Sequence, residues 1–305
     1  MKDRQGDQLV AVNREITLFT PTYARDFERF CLLRESVERF SIELPHIAVV
    51  HHADVALFQT VPHRKGLTIV STLDVLPREF ERRRQVWRIS RRDYRYWITG
   101  RGIPGWTIQQ LIKLASPKVV RTDGIVCLDS DCFFIGHLTA ADFYAPDGRL
   151  HLYESTDDLD IEMAEWYPHA LRFLGHKTTG VPLRRFTHAP VPLHRGILLE
   201  LQAFIEARHK RPWMNAVEEG DMVTEYALYG SFCRHNTCLD RVVPTVPPLC
   251  AYCWWPEQVD RLPEILEQEI KNGKKIALVQ SNIGRPVSAF RPGIEQVWKK
   301  VGEMR

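Results

Sequence analysis

The chain has 305 residues, 44% of them hydrophobic and 26% charged, with a formal net charge of +3. That balance fits a folded globular protein and excludes both a chain too polar to bury a core and a polycation that binds nucleic acid by bulk charge. No apolar run approaches the roughly 18–20 residues needed to cross a bilayer, residues 1–13 lack the apolar centre of a signal peptide, and the seven cysteines fit reduced thiols better than a disulfide framework, so a cytoplasmic address is expected.

Residues 1–14 read as a flexible tail. Glu15 to Thr20 is the first expected strand, closed by the turn Pro21-Thr22-Tyr23. A helix follows from about Ala24 to Phe40, with Phe30, Leu33, Val37 and Phe40 on one stripe at helical spacing. His46 to Val50 and Leu67 to Val70 are the next strands, with a short helix through Val55, Leu57 and Phe58 between them. This alternation predicts an α/β fold with a mostly parallel sheet and right-handed crossovers.

Residues 78–101 break the pattern. Arg78, Arg82, Arg83, Arg84, Arg88, Arg91, Arg92, Arg95 and Arg101 are interleaved with Phe80, Trp87, Tyr94, Tyr96 and Trp97. Three readings fit: a solvated helix face with its aromatics turned inward, peripheral contact with an anionic membrane or a phosphate-bearing substrate, or a nucleic-acid surface. Pro104-Gly105 then opens a helix that buries Ile108, Leu111, Ile112 and Ala115 and groups Gln109, Gln110 and Lys113 on the polar side.

That helix leads into Gly124-Ile125-Val126-Cys127-Leu128-Asp129-Ser130-Asp131. A continuous apolar run predicts a strand buried on both faces. Ligands of open α/β sheets bind beyond the carboxyl ends of such strands. Residues i and i+2 of an extended segment face the same way, so both carboxylates are expected to share one small volume and to suit Mg²⁺ or Mn²⁺. A second Asp-x-Asp, at Asp158 and Asp160, follows no strand and reads as a solvated helix start.

Beyond this point, Leu150 to Tyr153 is a candidate strand and Thr156 to Leu174 a helix. Pro190 to His194 is extended, and Ile197 to Ala207 is helical. Asp221 is the expected cap of a helix carrying Val223, Tyr226, Ala227 and Gly230 inward. Leu262 to Asn272 is a helix closed by Gly273, Lys275 to Gln280 is a late strand, and Pro292 starts the last helix. No repeat or linker is visible. The expected organisation is one continuous globule of two packed halves, 15–150 and 151–305, the second a mixed α+β arrangement.

The helix with Gln109-Gln110 and Lys113, the turn at Ser116-Pro117, the apolar strand and Asp129-Ser130-Asp131 resemble the central segment of GT-A-fold, nucleotide-sugar-dependent glycosyltransferases, which carry a DXD motif. Thr20-Pro21-Thr22-Tyr23 is similar to the nucleotide-binding start of that fold. The resemblance implies a GT-A-like (Rossmann-like) glycosyltransferase that moves a hexose-like sugar from a nucleotide diphosphate sugar to a hydroxyl on a saccharide or lipid-linked acceptor. The 15–150 half would hold the donor and the 151–305 half the acceptor. Asp131 would bind Mn²⁺ or Mg²⁺, and Asp129 the metal, the ribose or both. Thr20, Pro21, Thr22 and Tyr23 would line the nucleoside pocket. Gln109, Gln110, Lys113 and Ser130 would lie near the donor. Glu225 is the candidate catalytic base; its other reading is a helix N-terminal acid that complements the dipole. The late strand ends in Gln280-Ser281, where many such enzymes place a histidine ligand, so His188 or His194 would have to supply a third ligand if there is one.

Two rivals stay open at this level. One is a nucleotidyltransferase on a similar sheet, although the turn after the first strand has no glycine. The other is a basic nucleic-acid-binding protein with zinc held by Cys233, Cys238, Cys250 and Cys253. No Gly-x-Ser-x-Gly elbow and no phosphate-binding Gly-rich loop occurs.

Overall fold

The computed structural model describes residues 14–90, 102–156, 161–220, 224–247 and 249–303. The strands are β1 (Ile16–Thr22), β2 (His46–Val50), β3 (Leu67–Ser71), β4 (Gly124–Cys127), β5 (Cys132–Phe134), β6 (Leu150–Tyr153), β7 (Val191–His194), β8 (Val242–Thr245), β9 (Cys250–Cys253) and β10 (Ile276–Val279). Among the described residues the α-helices are α1 (Phe27–Phe40), α2 (Val55–Phe58), α3 (Thr72–Val75), α4 (Arg78–Ser90), α5 (Gly105–Leu114), α6 (Ile161–Leu174), α7 (Arg195–His209), α8 (Trp213–Glu218), α9 (Glu225–His235), α10 (Pro256–Asp260), α11 (Leu262–Lys271) and α12 (Val287–Glu303). Among the described residues no helix is long and apolar enough to cross a membrane.

The main sheet runs β3-β2-β1-β4-β7. Its first four strands are parallel, and β7 closes the edge antiparallel to β4. All seven residues of β1 are buried, as expected for a central parallel strand covered on both faces. Register decides where the chain emerges. Phe19 lies opposite Cys127, and Thr22 opposite Val50. The segments that follow β1, β2 and β4 therefore leave the sheet along one rim. Gly124 allows the tight approach of β4 to its neighbours: a Cβ there would sit 2.7 Å from Ile16 Cγ2 and 2.8 Å from the Tyr144 hydroxyl.

Helix α1 buries the expected stripe of Phe30, Leu33, Val37 and Phe40. It also buries Arg34, each of whose three guanidinium nitrogens has a hydrogen-bond partner. Arg34 donates to the carbonyls of His63 (3.0 Å) and Lys65 (2.9 Å), and its Nη1 lies 2.8 Å from His46 Nδ1. Burial, together with the nearby guanidinium, drives the His46 pKa well below its ordinary value. The neutral ring can accept from Arg34 at Nδ1 and donate from Nε2 to Thr20 Oγ1, 2.9 Å away. Burial also lowers the Arg34 pKa to about 10.

A second sheet, β5-β10-β9, packs beside the first. Helix α12 anchors it: the Trp298 indole is buried, donates from Nε1 to the Phe134 carbonyl at 2.8 Å and meets the Phe40 ring edge-on. The small parallel pair β6-β8 completes the strands. Strands from residues 151 onward pair with strands from before 150 in both larger sheets, and one apolar core runs through both parts.

Several boundaries differ from expectation. Helix α12 begins at Val287 and carries Pro292 inside it. The described part of α6 begins at Ile161, residues 157–160 lying outside the described set. Thr224 rather than Asp221 caps α9, its hydroxyl accepting from the Ala227 amide at 3.2 Å; Asp221 and Val223 lie outside the described residues, as do residues 1–13 and 91–101. Of the arginine-rich stretch, Phe80 is in the core, Arg83 pairs with Glu218 at 2.8 Å and Arg84 reaches the main cleft.

Candidate functional site

The rim at the carboxyl ends of β1, β2 and β4 opens into a cleft of about 960 Å³. Its floor is the end of β1, Pro21 and Thr22, where a turn was expected, with the following Tyr23 to Asp26 and the turn Asp129-Ser130-Asp131. One wall is the start of α5, with Trp106 and Gln109; Trp166 of α6 adds a second indole, and Gln280 to Asn282 close the far side. This is the place where open α/β sheets bind ligands.

The two carboxylates converge through a turn. Strand β4 stops at Cys127, and the Cys132 amide donates back to the Asp129 carbonyl at 3.1 Å. The expectation that they share a face through strand alternation is therefore corrected, while the shared volume remains. Asp129 is about half exposed. Asp131 is mostly buried: its Oδ2 accepts from the Ser281 amide at 3.0 Å, and its Oδ1 is buried with no hydrogen-bond partner. Burial, then the charge of Asp129, pushes the Asp131 pKa up to about 7, against the Ser281 amide and Arg29, which favour the anion. A buried oxygen without a donor, beside a second carboxylate and next to hard oxygen groups at Gln280 and Ser281, suits a hard divalent cation.

Lys113 sits behind this turn rather than in the cleft. Its ammonium lies 3.0 Å from Asp129 Oδ1 and 3.1 Å from Glu225 Oε1, and 4.7 Å from the centre of the Tyr226 ring. Burial opposes its charge, but Asp129, Tyr226 and Glu225 outweigh burial and hold its pKa well above the ordinary value. The arrangement is a relay of charge from core to rim: Glu225, then Lys113, then Asp129. A lysine on the polar side of α5 was expected to reach the donor; it instead holds one of the acids that would.

The other expected residues divide. Pro21, Thr22, Tyr23, Gln109 and Ser130 line the cleft with the two aspartates. Thr20 points into the core and is held by His46; Gln110 is buried with its Nε2 unpartnered. Glu225 is buried, paired with Lys113 and outside the cleft lining. Its helix α9 is buried all round from Glu225 to Cys233, so no polar side aims Glu225 at solvent. His188 contacts Ser155 at 3.1 Å, and His194 caps α7 by accepting from the amides of Gly196 and Ile197. Neither histidine lines the cleft. The four cysteines of the zinc alternative do not form a group of metal ligands among the described residues. Cys233 and Cys238 interact with each other beside Tyr229, whereas Cys250 and Cys253 lie on β9.

Sequence reasoning missed Asp26, Trp106, Trp166 and Asn282 in the cleft. Only Trp106 carried a signal, being a large aromatic in the exposed first turn of a helix, where it is 52% exposed. The model of a family of unknown function, DUF6492, matches residues 9–281. The chain belongs to the DUF6492 family. No curated protein matches it. Solved structures similar to this DUF6492 protein include the galactosyltransferase LgtC in complex with donor and acceptor sugar analogs, at 13% identity and a TM-score of 0.49, covering 94% of this chain and 95% of that one. Mouse xyloside xylosyltransferase 1 in its apo form is similar at 9% identity and a TM-score of 0.47, covering 89% and 100%. The apo bifunctional glycosyltransferase WbbM is similar at 11% identity and a TM-score of 0.48, covering 95% of this chain and 52% of that one.

Proposed function

We propose that this DUF6492 protein is a metal-dependent glycosyltransferase that moves a sugar from a nucleotide diphosphate sugar to a hydroxyl of a saccharide or lipid-linked acceptor. The observation that carries the reading is the unpartnered, buried Oδ1 of Asp131 beside Asp129 at the floor of the cleft. Asp129 and Asp131 would hold a Mn²⁺ or Mg²⁺ ion, which as a Lewis acid stabilises charge developing on the departing diphosphate.

The chain's own residues have separate tasks. Pro21, Thr22 and Tyr23 would bind the nucleoside end at the rim of β1, with the buried Thr22 hydroxyl free to donate. Trp106 and Trp166 offer flat apolar faces for a sugar ring and shield the reacting carbon from water. Lys113 orients Asp129, and Glu225 keeps Lys113 charged. In transfer, the acceptor oxygen bonds to the anomeric carbon, the bond to the β-phosphate oxygen breaks, and the nucleoside diphosphate leaves with the electron pair and takes up the proton of the acceptor hydroxyl.

A panel of nucleotide sugars with Mn²⁺ tests this. Slow hydrolysis of one donor, lost on adding chelator and in the Asp131→Asn variant, is expected. No hydrolysis or transfer with any donor, or equal rates in folded Asp131→Asn, would refute it.

A further inference from the structure

Beyond the carboxylate turn, a second cluster of ligand-type side chains meets the cleft at His51. His51 and His52 follow β2 directly, and Glu81 lies in the first turn of α4. The nearest ligand atoms of the three lie within 4.8 Å of one another. His51 Nε2 is 3.0 Å and His52 Nδ1 3.7 Å from Glu81 Oε2. The two imidazoles are 4.2 Å apart between ring centres.

The cluster is poorly satisfied as it stands. Glu81 is 3% exposed, and among the described residues neither of its oxygens has a hydrogen-bond partner. His52 Nδ1 is likewise buried and unpartnered. The 3.0 Å contact with His51 lacks hydrogen-bond alignment. The Arg84 guanidinium lies 3.7 Å from Oε1. A buried carboxylate left so is costly unless a cation completes it.

We propose that His51, His52 and Glu81 form a binding site for Zn²⁺ or a similar borderline divalent cation, built from other residues than the aspartate turn. Two imidazoles and one carboxylate are a recurring zinc donor set. Ligands about 2.0–2.1 Å from a tetrahedral zinc lie roughly 3.3–3.4 Å from each other, and the observed 3.0 and 3.7 Å bracket that edge. The Arg84 charge lies on the Oε1 side and leaves Oε2 toward the imidazoles. Loading has one cost: His51 Nδ1 accepts from the Ala53 amide at 3.3 Å, so the ring proton must move from Nε2 to Nδ1 and that long contact must open. The bound ion would tie the segment after β2 to α4 at the edge of the cleft that His51 lines.

The test is titration of the chelator-stripped full chain with Zn²⁺ by calorimetry, and with Co²⁺ followed by visible absorption. Wild type, Glu81→Gln, His52→Ala and Asp131→Asn are compared, each checked for folding by circular dichroism. The expected result is one equivalent of Zn²⁺ with tetrahedral-type Co²⁺ absorption, retained in Asp131→Asn and weakened tenfold or more in both Glu81→Gln and His52→Ala. Since His52 is a third exposed, its alanine variant keeps the test valid if Glu81→Gln fails to fold. Absence of binding, loss of binding in Asp131→Asn, or unchanged affinity in folded His52→Ala would overturn the proposal.

Discussion

Replacing Asp131 with Asn should stabilise the metal-free protein at pH 8. Asp131 carries a pKa raised from the ordinary 3.8 to about 7 by burial and by Asp129. A group with a raised pKa in the folded state binds more protons there than in the unfolded chain, so stability is highest below about pH 4 and is lost as pH rises toward the folded pKa. At 1.36 kcal/mol per pH unit, the penalty at pH 8 is about 4 kcal/mol. Asn keeps an oxygen for the Ser281 amide and places an NH₂ where the repelled oxygen stood. Imperfect bonding of that NH₂ returns about 2 kcal/mol, within the range for a buried unsatisfied group. The net gain is then about 2 kcal/mol, or about 3 °C in Tm for a chain of this size. At pH 5, where folded Asp131 is protonated, the gain should vanish. Thermal melts in chelator at the two pH values measure this, and Mn²⁺ should raise the Tm of wild type alone. Equal or lower stability of the variant at pH 8 would refute the electrostatics assigned to the turn.

Three further outcomes follow from the same geometry. Lys113→Met leaves two carboxylates without their buried partner and should cost about 3–5 kcal/mol by urea denaturation, whereas a change under about 1 kcal/mol would show the relay to be idle. Glu225→Gln should keep at least a tenth of kcat, because Glu225 is paired with Lys113 outside the cleft; removal of a true general base would cost about 10²–10⁴-fold. Arg34→Met should lower stability by about 3 kcal/mol or more, since it orphans His46 and two carbonyls.

The parts of the fold written in local periodicity were legible. The stripe on α1, the buried β1 and the apolar run into Asp129 each follow from the spacing of residues within one element. The aspartates' shared volume was foreseen for the wrong reason, because a four-residue turn is not distinguishable from a strand end in so short a segment. Lys113 misled because a lysine at helical spacing with two glutamines looks solvated. Its burial depends on Glu225, more than a hundred residues away in the chain, and on a turn that swings Asp129 over it. Gln280 to Asn282 reach the site only because β10 inserts between β5 and β9, with the Val279 amide donating to the Asp131 carbonyl at 3.1 Å. Such non-local pairing leaves no mark in spacing. Thr20 differs from its neighbours by one position of strand alternation, which sends it to His46 instead of the cleft.

The most direct measurement is a thermal-shift comparison of nucleoside diphosphates with and without Mn²⁺ on wild type, Asp129→Asn and Asp131→Asn. A ligand at a hundred times its Kd adds about 2.7 kcal/mol, a shift of several degrees. One nucleoside diphosphate should stabilise wild type only when Mn²⁺ is present, and neither variant should respond. Stabilisation that is independent of metal, or that persists in both variants, would contradict a cation held between these two carboxylates.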